Sequence, residues 1–210
     1  MERVYKQKFE VVACKYDEVP ASVEASIPAG GHLEGNRIGF DAGGSDRKVS
    51  AVVNGEVIHS EEVVWFPKTN EDPEYHYQGI LDSFRRAAEK MPSVDAIGVS
   101  SAGIYIDNEV RVASLFIKVP QDLFDEKVVD MYIRAAKEYG DVPLTVANDG
   151  DVTALAGSIS LKSGQVLGIA MGTSEAVGYV NKDGNLNGWL SELAFVPVDY
   201  NKGAMVDEWS

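Results

Sequence analysis

The sequence predicts an α/β fold built on a mixed sheet with helices on its faces. Residues 38–66 read as three apolar runs divided by a Gly-Gly-Ser turn and an Asn-Gly turn, that is, three strands joined by two tight turns. Apolar patterns of helical period then alternate with short apolar strands. A third observation concerns chemistry. Two turns made of glycine with Ser or Thr, at 42–45 and 172–174, each sit between two apolar strands. Glycine lets backbone N–H groups approach an oxyanion, because no Cβ intervenes. Two such turns facing each other across a cleft would clamp a phosphate chain.

In chain order, residues 1–16 alternate loosely (Val4, Phe9, Val11, Ala13) and predict one or two edge strands. Residues 17–36 are rich in Pro and Gly and read as a surface segment, with His32 a solvated loop residue. Asp72-Pro73 has the form of an N-cap followed by proline at the first helical position. Tyr77, Ile80, Leu81, Phe84, Ala88 and Met91 then repeat at helical spacing, and Pro92 ends the helix. Residues 94–100 are a buried strand leading into the small-residue turn Ser100, Ser101, Ala102, Gly103. Asp107-Asn108 turns a hairpin. A second helix is predicted over 122–139, stopped by Gly140. Residues 144–147 form another strand, ending in Asn148-Asp149-Gly150, and a small-residue helix follows over 152–161 with Gly164 closing the unit. Strands at 166–171 and 176–180 flank the second turn, and Asp183-Gly184 makes one more.

Size and charge exclude several functions. A chain of 210 residues can bury one good core or two small ones. With a net charge of -14 and no basic stripe, neither nucleic acid nor an anionic membrane is an expected partner. The single cysteine, Cys14, can make no internal disulfide and no cysteine-rich zinc site. No long uncharged apolar stretch exists, and the N-terminus lacks the apolar core of a signal peptide, so the expected location is the cytoplasm. An acidic protein that binds nucleotide must neutralise phosphate locally, with amides, a metal and a few cations.

The residues alone leave two readings of each motif. Gly43, Gly44 and Ser45 can hold phosphate beside a cation held by Asp41, or can simply turn the chain with Asp41 as its cap. Asp149 can be a reactive carboxylate or can cap the helix that follows.

Taken in order, these pieces resemble the actin-like ATPase and sugar-kinase superfamily, and within it the ROK family of bacterial sugar kinases and sugar-sensing repressors. The likeness runs over residues 37–198. It rests on Asp41-Ala42-Gly43-Gly44-Ser45, on the turn 100–103, on Asn148-Asp149-Gly150 with Ala154 and Ala156, on Gly172-Thr173, and on Ser191-Glu192-Leu193. The resemblance implies a ribonuclease H-like (actin-like ATPase) fold: an N-terminal extension (1–36), an N-terminal lobe (37–160) and the start of a second, incomplete lobe (161–210). It implies ATP-dependent phosphorylation of a hexose or related sugar, with Asp149 as general base. Asp41 would hold Mg²⁺ through water. Gly43, Gly44, Ser45, Gly172 and Thr173 would bind the ATP phosphates. Ser101, Gly103, Asn148 and Glu192 would contact the sugar. Dimers are common in that family, which makes a homodimer an expected assembly.

The sequence departs from the family pattern in four places. Phe195 stands where the family has a metal-binding histidine and no cysteine cluster follows, so no structural zinc is expected. Ser174-Glu175-Ala176-Val177 replaces a glycine-rich run, placing a carboxylate near the expected phosphates. Residues 1–36 match nothing in the family. The family's adenosine-binding glycine pair and closing elements do not follow, so a fragment of a longer protein is expected. The alternatives to a kinase are a catalytically inactive sugar-sensing regulator of the same fold and, third, an actin-like assembly ATPase.

Overall fold

The computed structural model describes residues 2–23, 25–171, 175–188, 193 and 199–205. The chain opens with one helical turn, α1 (Glu2–Tyr5), which buries Val4. The edge strands expected within 1–16 do not form: residues 6–15 carry no strand, and Phe9 and Val11 are exposed. Alternation alone is insufficient, because a strand also needs an edge to pair with and a face to bury. The first strand is β1 (Ser26–Ile27), which pairs with β11 (Leu186–Asn187) near the other end of the chain. A Lys6–Glu109 ion pair at 2.8 Å ties the segment after α1 to the body.

Three antiparallel strands follow, β2 (Asn36–Ala42), β3 (Asp46–Val53) and β4 (Glu56–Val64). Asn54 and Gly55 both take positive φ, 50° and 83°, as a two-residue hairpin turn of matching twist requires. Ile38, Phe40 and Ala42 of β2 and Val49 and Ala51 of β3 are buried. The period-two pleat puts them on one face.

Helix α2 (Pro73–Ala88) covers that face. The Asp72 carboxylate accepts from the Glu74 N–H at 2.9 Å and caps it, with Pro73 at the first position. Ile80 and Phe84 are fully buried, and the Phe84 ring meets Phe40 edge-on at 5.5 Å. Tyr77, Leu81 and Ala88, expected inward, do pack against this core but half-buried at its margin, while His76, Ser83 and Ala87 are buried. The shift follows from Arg47 on β3. Its guanidinium donates to the Gly79 carbonyl at 2.6 Å and Ser83 Oγ at 2.7 Å, and pairs with Asp82 at 2.8 Å. A guanidinium drawn out of water needs partners, and the helix supplies them to both terminal nitrogens of Arg47. Burial pushes the Asp82 carboxyl up, but Arg47 and Arg86 together hold it below the usual range.

The sheet continues in parallel through β5 (Ala96–Ser101) and β8 (Leu144–Asn148), giving the order β4-β3-β2-β5-β8. Between them lies the hairpin β6 (Ile104–Ile106) and β7 (Glu109–Val112), turned by Asp107 and Asn108, both at positive φ. The helix expected over 122–139 is broken. A short α3 (Gln121–Leu123) widens into a π-type turn over Phe124–Val128, and α4 (Met131–Lys137) restarts beyond it. The break frees the Val129 carbonyl to accept the Val110 N–H at 2.9 Å, which ties the helical segment to the hairpin. Phe124, Val128, Met131 and Tyr132 are all buried there, in the main core with α2.

Helix α5 (Asp149–Leu161) begins at Asp149, not at 152, and Lys162 rather than Gly164 takes the left-handed position at its end, with φ 51°. A hairpin of β9 (Val166–Met171) and β10 (Glu175–Val180) completes a second sheet of order β1-β11-β10-β9. Its core is small, with Ala154, Val180 and Leu186 buried. Backbone contact does much of the docking instead. A Cβ at Gly168 would lie 2.3 Å from Ala154 N, and one at Gly178 would lie 2.4 Å from Gly150 O and Asp151 Cα. No helix among the described residues is long and apolar enough to cross a membrane.

Candidate active site

The parallel strands β2, β5 and β8 end side by side. The register places Asp41 beside Ser100 and Ala147, and Ala42 beside Ser101 and Asn148. Carboxyl ends of parallel strands are where open α/β sheets bind ligands, because the chain leaves them in loops. Asp41, Ser101, Gly103, Asn148 and Asp149 are thus gathered at one end of the sheet.

Asn148 is the N-cap of α5. Its Oδ1 accepts the Gly150 N–H at 2.8 Å, and its Nδ2 donates to the Gly103 carbonyl at 2.8 Å. One amide therefore joins the start of the helix to the small-residue turn. Gly103 needs to be glycine, since its φ is 132° and a Cβ would fall 2.4 Å from the Val112 carbonyl. Ser101 is fully buried, with Oγ 3.5 Å from the Ala42 carbonyl that accepts from it. Beside it lie the Tyr105 and Tyr132 rings, 6.2 Å apart. Burial pushes both phenols up, Tyr132 to about 12, so both are neutral at physiological pH.

Asp149 is the first residue of α5 rather than its cap. Burial raises its carboxyl, the Gly150 N–H partly opposes this, and the Asp41 charge adds to the rise. Asp151, one residue beyond Gly150, is pushed up to about 6 by burial and then by Asp149. Residues 175–177 lead β10 directly onto this helix start: a Cβ on Gly150 would meet Val177 N at 2.6 Å. Gly172, Thr173 and Ser174 lie outside the described residues, but the strands on either side of them pair from Met171–Glu175 onward and rest on α5. Glu192, with Ser191 and Phe195, also lies outside the described residues.

The turn at 43–45 joins β2 to β3. Trp65 holds it from behind: the indole N–H donates to the Gly43 carbonyl at 2.8 Å and the backbone N–H to the Ser45 carbonyl at 3.1 Å. Two of the turn's carbonyls are thereby engaged, while the N–H groups of Gly44 and Ser45 donate to no group among the described residues. A buried indole has to find an acceptor, which is the signal in the sequence that could have paired Trp65 with the turn. Ser45 Oγ donates to Asp46 at 2.9 Å. Lys48 bonds to Asp46 and lies 3.9 Å from Asp41. Its hydrogen bond holds the Asp46 carboxyl below the usual range. A cavity of about 580 Å³ opens along the sheet face that carries Asp41, Lys48, Ser50, Ser100 and Thr145, with Val152 of α5 at its rim.

Asp151 makes the chain pH-sensitive. Its ordinary value is 3.8 and its folded value about 6. Between these the folded chain holds a proton that the unfolded chain has released, so stability falls as pH rises through that window. Asp151→Asn is therefore expected to stabilise the protein by about 1–3 kcal/mol at pH 8, a gain that vanishes below about pH 4. Urea unfolding of both forms at pH 4, 6 and 8 checks this.

No family model matches the chain, and no curated protein matches it either. Solved structures do. An inorganic polyphosphate/ATP-glucomannokinase from Arthrobacter sp. strain KM is 22% identical with a TM-score of 0.60, over 79% of this chain and 65% of that one. A ROK hexokinase from Thermus thermophilus is 17% identical with a TM-score of 0.54, over 78% and 53%. A ROK-family transcriptional regulator, a homologue of the E. coli MLC protein, is 16% identical at a TM-score of 0.54, over 80% and 43%. The chain spans between about two fifths and two thirds of the length of these structures. Together with the mixed sheet and the strand-end cluster, they show that the chain carries the actin-like ATPase and sugar-kinase fold in the form found in ROK-family proteins.

Proposed function

We propose that the protein transfers the terminal phosphoryl group of ATP to a hydroxyl of a hexose or related sugar. The observation that carries this is the seating of β10, at Ala176, Val177 and Gly178, on Gly150 and Asp151 in the first turn of α5. Asp149 takes the hydroxyl proton as the sugar oxygen attacks the γ-phosphorus, and the bond to the β-phosphate oxygen breaks, releasing ADP. A raised carboxylate suits this role, because its proton affinity lies closer to working pH. Gly43, Gly44, Ser45, Gly172 and Thr173 bind the phosphates. Ser101, Gly103, Asn148 and Glu192 shape the sugar side, Asn148 by holding Gly103 as well. Asp41 is half exposed and offers a hard oxygen ligand, which fits a Mg²⁺ that keeps most of its waters. Such an ion neutralises phosphate charge. Both substrates place the reaction in the cytoplasm.

A second reading, a sugar-sensing regulator without catalysis, is favoured by the regulator among the structures of the same fold. Sugar-dependent ADP release from MgATP, measured over a hexose panel on the full-length protein, separates the two. Release with one sugar or a few is expected. Sugar-induced thermal stabilisation with no release would establish the sensor instead.

A further inference from the structure

The turn at 43–45 has a neighbour that no motif marks. Lys68 leaves the short helical turn Pro67–Thr69 and crosses over Gly44: a Cβ at that glycine would lie 2.9 Å from Lys68 Cε and 3.1 Å from Nζ. Glycine at 44 is what lets the lysine lie there. The base of the lysine is fixed. Trp65, three residues before it, is bonded to the turn itself. The Phe66 N–H donates to Tyr75 Oη at 2.9 Å, and the Pro67 carbonyl lies 3.0 Å from Nε2 of buried His76.

Lys68 is only partly exposed, yet its ammonium makes no ion pair or hydrogen bond among the described residues. Two of the nearby turn carbonyls, Gly43 and Ser45, already accept from Trp65. What remains beside the ammonium are the undonated N–H groups of Gly44 and Ser45. Undonated N–H groups and a cation thus lie at one turn, and an anion there satisfies both. The other lysine near this turn cannot serve, since Lys48 is neutralised by Asp46 and Asp41. In a chain of net charge -14, a positive charge left unpaired at a glycine turn is conspicuous.

We propose that Lys68 binds the phosphates of the donor, an ATP or inorganic polyphosphate chain laid on the amides of Gly44 and Ser45. This rests on the phosphate-binding reading of that turn. A lysine suits the task as a point charge on a flexible stem, reaching whichever phosphate oxygens the amides leave.

The test is calorimetric binding of MgATP and of inorganic tripolyphosphate to the full-length protein and its Lys68→Met and Lys68→Arg variants, with steady-state kinetics beside it. Lys68→Met is expected to weaken donor binding about ten- to a hundredfold, the range for a lost charge-assisted bond. The KM for donor should rise with it, while the KM for sugar and the melting temperature stay unchanged. Lys68→Arg should restore most of the affinity. Loss with both donors, or with one alone, supports the assignment and says which chain the lysine reads. Unchanged affinity for both donors in Lys68→Met overturns it while leaving the turn's role standing. A wild-type protein that binds neither donor overturns the phosphate-binding reading and Lys68's role together.

Discussion

Asp149→Asn is expected to lower sugar phosphorylation by about 10²–10⁴-fold, the usual contribution of a positioned general base. Asparagine is nearly isosteric, and it can keep the acceptor that takes the Gly150 N–H at 3.1 Å, so the start of α5 survives. What it loses is the capacity to accept a proton. Sugar and donor affinities should change little, placing the loss in kcat. The wild-type rate should carry the matching pH dependence. Burial and the Asp41 charge lift the Asp149 pKa above 3.8, so activity falls as acidification protonates it, at a higher pH than for an ordinary aspartate. Initial rates from a coupled ADP assay between pH 4.5 and 8 measure both effects. Wild-type turnover in Asp149→Asn would remove this residue from the mechanism.

The second large effect is structural. Gly178→Ala is expected to destabilise the hairpin β9–β10 by roughly 3 kcal/mol, at the upper end of overpacking costs. Its Cβ would need space that Gly150 O and Asp151 Cα already fill at 2.4 Å, and neither backbone atom can rotate away. The small core of Ala154, Val180 and Leu186 offers little to absorb the strain. Hydrogen exchange should therefore speed up in β9 and β10 while the main sheet stays protected. Phosphoryl transfer should drop with it, since the hairpin would leave the helix that starts at Asp149. Gly39→Ala is the control. The nearest atom to its Cβ would be Ser50 Cβ at 4.0 Å, and it should be close to neutral. Equal behaviour of the two variants would show that α5 does not hold the hairpin through its glycines.

Much of this was legible in the residues because it is local. The Asn54-Gly55 and Asp107-Asn108 turns needed positive φ and had the residues that tolerate it. The Asp72-Pro73 cap needed a short acceptor and a fixed φ. The strands at 36–42 and 46–53 alternate as a half-covered sheet must. The larger misses were long-range. Residues 1–16 alternate, yet their described part pairs with no strand, and the first strand along the chain finds its partner about 160 residues away at Leu186 and Asn187. The helix over 122–139 broke because Val129 is wanted by Val110. The choice between Asp149 as cap and Asp149 as first helical residue turned on Asn148, whose amide bridges to Gly103, 45 residues earlier in the chain.

By itself, the sequence determined the order of strands and helices, the turns, and which residues could do phosphate and proton chemistry, since each of these follows from side-chain shape and the freedom of φ within a few residues. Only the tertiary structure decided which of them meet. It set Asp41, Ser101 and Asn148 on adjoining strand ends, laid β10 on the first turn of α5, and brought Lys68 across Gly44. Those contacts depend on strand register and on where a Cβ is absent, and both are properties of two distant segments at once.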